Sequence, residues 1–213
     1  MGEFNNIAHA REIFGTLLLQ NGNPITYKES ESQEGSTLSL ASTLGNGNYL
    51  GLNSSLPALD FFTNFSDPRS PDYSWNRSLP NSKTFFLSGN LATYTGFASE
   101  INDLRQKNPN LDFDIAEMPQ IRGQGANRAV YGSMYGFSIV RSTIDANATY
   151  QVLSALLAPE SLAEMVKLSY LPPVRRDMIA TGSTDPYLSI FYDSALISKG
   201  WLDTDKSESN KIF

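Results

Sequence analysis

The chain has 213 residues, with 16 Lys+Arg against 22 Asp+Glu for a net charge of −6, 40% hydrophobic residues and no Cys. That balance describes a globular protein long enough to bury a core, and it excludes a disulfide framework and thiolate chemistry. No basic run offers the clustered positive charge that releases counterions from a phosphate backbone, so nucleic acid is not an expected partner.

In chain order, Ile7, Ala10, Phe14, Leu17 and Leu18 follow helical spacing, and Gln20-Asn21-Gly22 supplies a glycine stop. From Tyr27 to Asn48 the residues are Ser, Thr, Glu, Gly and Asn, with few apolar points, which predicts a mobile loop. Asn53-Ser54-Ser55 offers caps for a second helix that tolerates Pro57 in its first turn, turns Leu56, Leu59 and Phe62 inward, and ends by Asp67-Pro68. Thr84-Phe85-Phe86-Leu87 predicts a short strand, which Leu91–Tyr94 extends or resumes before Gly96. Phe97, Ile101 and Leu104 mark a helix that Asn108-Pro109 closes. Leu111, Phe113 and Ile115 alternate with Asp112, Asp114 and Ala116, the period of a half-buried strand. Ala129–Val140 predicts a strand bent near Gly132 and Gly136. Helices are expected over Ala146–Leu157 and Pro159–Tyr170, an extended stretch at Arg175–Asp177, and a last helix over Pro186–Lys199. Strands alternating with helices point to an α/β architecture, although three strands are few for a sheet covered on both faces.

Little in the chain assembles into catalytic chemistry. The single histidine, His9, rules out a multi-histidine metal site, and there is no G-x-S-x-G for a serine nucleophile. Asp112 and Asp114 share one strand face and could act as an acid/base pair, but a solvated face explains the same spacing. Gly45-Asn46-Gly47 lacks the preceding strand and the Lys of a phosphate loop. Sequons stand at Asn53, Asn64, Asn76 and Asn147. No apolar run approaches the ~20 residues of a membrane-spanning helix. Met1–Ile7 lacks the basic start and apolar stretch of a secretory signal. More telling are aromatics set among Gly, Ser and Thr: Tyr73, Trp75, Tyr94, Phe97, Tyr131 and Tyr135. A ring with a polar tip covers the apolar face of a sugar while neighbouring polar groups meet its hydroxyls.

Taken together, Leu17-Leu18-Leu19-Gln20-Asn21-Gly22, Ala58-Leu59-Asp60-Phe61-Phe62, Tyr73-Ser74-Trp75, Phe86-Leu87-Ser88-Gly89-Asn90-Leu91-Ala92, Asn108-Pro109, Glu117-Met118-Pro119-Gln120 and Pro173-Val174-Arg175-Arg176-Asp177 follow a familiar order. In that order the chain resembles the extracellular solute-binding proteins of bacterial ABC importers, family 1, the maltose-binding-like class. The resemblance implies an α/β, periplasmic-binding-protein-like (type II) fold in which two lobes close around a solute. It further implies that residues 4–128 and 181–213 form the C-terminal lobe and 129–180 a returning segment of the N-terminal lobe, most of which would lie outside this sequence. The returning segment would then expose apolar faces. By position in the family pattern, Tyr94, Gly96 and Phe97 would border the ligand, as would Tyr131, Ser133, Met134 and Tyr135 on the strand crossing between lobes. Tyr73 and Trp75 would reach the ligand from their loop, and Arg175, with Arg176 beside it, would meet solute hydroxyls or anchor the chain. Where the family more often has Met, this chain has Thr93. The implied partners are a small solute, a sugar, and the permease subunits of the importer. The implied location is extracytoplasmic, periplasmic or lipoprotein-anchored, and neither a cofactor nor enzymatic activity is implied. An α/β carbohydrate-acting enzyme and a protein-interaction module are the alternatives.

Overall fold

The computed structural model describes residues 1–29, 39–45, 54–123 and 127–201. They fall into two compact bodies. The first comprises Met1–Gly96, Met118–Tyr131 and Ile197–Phe213, and the second Phe97–Glu117 and Gly132–Leu196. The chain therefore passes between bodies four times, at 96–97, 117–118, 131–132 and 196–197. The division expected from the sequence grouped 97–117 and 181–196 with the first of these; in the structure they pack with 132–180.

The first body is built around α1 (Ala10–Gln20), which is buried on nearly every side. Its end is a Schellman turn: Gly22, at φ 84°, donates to the Leu19 carbonyl and Asn23 to that of Leu18. Around α1 pack Ala58 and Phe62 of α2 (Leu56–Asn64), Ile25, Trp75 and Ala129. Phe62 is fully buried, with Phe4 and Phe14 rings 4.9 and 6.0 Å from its own. Leu56 and Leu59, expected inward, lie exposed with Phe61, because α2 docks by the Ala58–Phe62 face alone. The buried polar side chains of α1 have specific work. Gln20 donates to the carbonyls of Pro119 and Ala129, and Thr16 Oγ1 accepts from the Tyr131 N–H, so the segment after Met118 is tied to the helix by hydrogen bonds a dry interface requires.

Part of the stretch expected to be a loop is a β-hairpin. Strand β1 (Thr26–Glu29) pairs antiparallel with β2 (Ser39–Ser42), Thr26 facing Ser42; residues 30–38 and 46–48 of that stretch lie outside the described residues. The hairpin base is fixed by Asn23, whose side chain accepts from the Ile25 N–H and the Thr43 hydroxyl and donates to the Thr43 carbonyl. Ile25 stands at φ 70°, a conformation costly for a β-branched residue and held here by that network.

Residues 84–87 form no strand. They belong to α3 (Ser82–Leu87), capped by Asn81 accepting from the Lys83 N–H and closed by a second Schellman turn in which Asn90 donates to Phe85 and Gly89, at φ 76°, to Phe86. Caps at both ends outweigh the β preference of Thr-Phe-Phe-Leu, which is a preference for a pleated surface and not for any backbone. The long strand expected over 129–140 shrinks to β3 (Val130–Tyr131), parallel to β4 (Ser198–Lys199).

The second body is helical. A single 3-10 turn (Ala98–Glu100) leads into α4 (Ile101–Lys107); α5 (Ala146–Leu156), α6 (Pro159–Ser169), α7 (Arg176–Ala180) and α8 (Pro186–Leu196) follow. The extended stretch expected at Arg175–Asp177 thus opens the short helix α7. Asp145 caps α5 by accepting from the Ala148 N–H, and Asp185 accepts from the Tyr187 and Leu188 N–H groups at the start of α8. The Arg105 guanidinium lies 4.9 Å from the Tyr187 ring and 5.8 Å from that of Tyr170, joining α4 to α8 and to the end of α6. Residues 111–115 keep the expected alternation of exposure, Leu111, Phe113 and Ile115 half-buried against exposed Asp112 and Asp114, but no ladder forms there. Among the described residues the strands are confined to two two-stranded sheets.

Candidate functional site

Adjacent residues of α3 divide core from surface. Phe85 meets the buried Trp75 ring edge-on at 6.1 Å, and Phe86, one residue on, carries the Tyr94 ring stacked at 5.4 Å with the planes 24° apart. The Schellman turn at Gly89 makes this possible, because it reverses the chain and returns residues 91–94 along the helix they have just left. His9, in the left-handed conformation at the start of α1, brings its imidazole 6.5 Å from Tyr94. The outcome is a half-buried aromatic ledge of Phe86, Tyr94 and His9, flanked by exposed Asn90, Thr93 and Thr95. Apolar ring faces beside short polar groups suit a flat, hydroxylated ligand.

The other anticipated site residues serve different ends. Trp75 is buried, and its indole N–H donates to Asn6 Oδ1 at 2.9 Å; it belongs to the core and has no face to offer a solute. Tyr73 is exposed, its hydroxyl accepting from the Asn76 side chain. Tyr131 is held by its N–H to Thr16 and packs its ring 4.9 Å from Trp201, which also closes on Gly15 of α1. Gly96 is exposed at the end of the first body. In the second body, Phe97 donates its N–H to the Glu100 carboxylate and so starts the 3-10 turn. Ser133, Met134 and Tyr135 are exposed, Tyr135 at 93% of its full area. Arg175 grips Asp177 through two hydrogen bonds of 3.1 and 2.8 Å. That fork holds the Asp177 carboxyl below its ordinary range and directs the guanidinium into the start of α7. Five of the ten anticipated residues thus lie in each body, and within the first body Tyr94 is the one set in an aromatic ledge.

Phe86 and His9 escaped the sequence reading. A Phe-Phe pair read as alternating strand faces hides that, in a helix, two neighbours about 100° apart can serve core and ledge together. Elsewhere, Asp60, Thr63, Asn64, Ser66 and Asp67 line an open polar depression at the end of α2, where Arg69 holds the Asp67 carboxyl below its usual range through a side-chain hydrogen bond. Among the described residues no group of three His, Asp or Glu side chains is placed to hold a metal ion, and no helix is long and apolar enough to cross a membrane.

No family model, no curated protein and no solved structure matches the chain.

Proposed function

We propose that the chain is an extracytoplasmic solute-binding protein, non-enzymatic and of the α/β periplasmic-binding type, delivering a carbohydrate to the permease of an ABC importer. The observation that carries this reading is the fourfold passage of the chain between two compact bodies. A chain that passes more than once between two bodies is what ligand-driven hinge closure requires of its connections. The order of segments set out above supports the class of protein, and the ledge of Phe86, Tyr94 and His9 supports a sugar, since it offers ring faces beside the side chains of Asn90, Thr93 and Thr95.

Titration calorimetry against a panel of mono- and oligosaccharides, paired with small-angle scattering, tests it. A binding sugar is expected to shrink the radius of gyration, and Tyr94→Ala to weaken its binding by about 1–3 kcal/mol, the scale of one buried aromatic contact. Heat without contraction, turnover of the sugar, or unchanged affinity in Tyr94→Ala with an unaltered melting temperature would each overturn part of it: closure, the non-enzymatic role and the ledge, respectively.

A further inference from the structure

Ser133–Ile139 enters no hydrogen bond, backbone or side chain, with any described residue. The stretch Tyr135-Gly136-Phe137-Ser138-Ile139-Val140 is rich in aromatic and β-branched residues, the composition that favours strands. Its large side chains are open to solvent on both alternating sets: Met134 77%, Tyr135 93%, Phe137 69% and Val140 63% exposed. From Gly132 to Thr143 the one charged residue is Arg141, and α5, which follows, has none while exposing Tyr150, Val152 and Leu156. A strand-forming segment with unsatisfied backbone groups beside an uncharged helix is a template for strand addition.

We propose that Ser133–Val140 pairs with the same segment of a second copy of this chain, as antiparallel strands about a two-fold axis. Two observations favour a second copy. The exposed apolar residues extend beyond the pairing segment to Ile144 and to Tyr150, Val152, Leu156 and Leu157, so the contact between copies takes in α5 as well as the paired strands. The near-absence of charge specifies no charge-complementary partner, and matches the apolar centre of homodimer interfaces. Antiparallel pairing centred near Phe137 places the two Arg141 side chains at opposite ends of the ladder, so the lone charge is not opposed by its own copy. Strand pairing uses backbone groups, and stands or falls independently of solute binding.

Sedimentation velocity on the full chain is expected to show a species of twice 23.5 kDa that dissociates on dilution. Phe137→Lys and Ile139→Lys, which add charge to the pairing segment without touching any hydrogen bond, are expected to weaken the dimer roughly tenfold or more while leaving helical circular dichroism unchanged. Because the chain has no Cys, a scan of single Cys substitutions from Met134 to Val140 reads the register directly: oxidative cross-linking should peak at one central position and fall off on both sides. A monomer at all accessible concentrations overturns the proposal. So does a dimer indifferent to both lysine variants, or one whose cross-links show no maximum in this segment.

Discussion

Tyr192 shows how burial moves the titration of one side chain. It is the largest buried apolar residue of the second body, and burial pushes its phenol above the ordinary value of 10.0 because the phenolate would lose its water. The unfolded chain ionises this group near pH 10 and the folded chain only at higher pH. The stability that Tyr192 contributes as a neutral phenol is therefore complete below pH 10 and is lost as pH rises through its folded pKa. Melting temperature should fall more steeply above pH 10 in the native protein than in Tyr192→Phe; parallel curves would show that burial does not govern this tyrosine. Ile25 makes the opposite point at the same scale, a residue whose backbone strain is repaid by Asn23, so that the turn depends on its neighbour more than on its own side chain.

Helix ends decide more of this fold than helix interiors. Asp145, at the start of the uncharged α5, accepts from the Ala148 N–H at 2.9 Å, and replacing it with Ala is expected to cost about 1 kcal/mol in urea unfolding of the second body, with Ser at the same position restoring most of the loss. Equal stability of all three would show that α5 is held by packing instead. The same logic explains what could be read beforehand. The bounds of α1, α5 and α6 were legible to within a few residues because periodicity and termini agreed: Gly22 closes one, and Pro159 opens another. Thr84–Leu87 misled because its composition favours a strand, while Asn81 and Gly89, which decide the matter, stand just outside the run. The hairpin of β1 and β2 was hidden because its sequence is short and mostly polar, without the alternation that marks a strand, and its base is organised by one buried Asn. Of the site, Tyr94 was visible as an aromatic among small polar residues. Trp75 carried the same signal yet lies in the core, since nothing local reveals its partner Asn6, 69 residues away.

Across the whole molecule, burial is unequal. The first body closes a contiguous cluster around α1, whereas buried apolar side chains of the second body reduce to Ile101, Leu104, Leu162, Pro173 and Tyr192, and most large exposed apolar residues belong to it. Opening free energy follows buried apolar contact, so amides of α5 and α6 should exchange with solvent far faster than those of α1. Uniform protection by hydrogen exchange and mass spectrometry would show instead that the two bodies open as one unit. A two-body chain with unequal cores is also suited to a protein whose parts move, since the better-packed body can stay intact while the other rearranges.

The packing of Trp201 and β4 against Tyr131, Val130 and α1 has a consequence during protein synthesis. The helix that organises the first body leaves the ribosome well before its partners: a partner strand and a covering indole arrive some 180 residues later. At ~5–20 residues per second, α1 waits roughly ten to forty seconds with part of its apolar surface open. Nascent chains released before Ile197 would keep that surface exposed and be substrates for chaperone or protease.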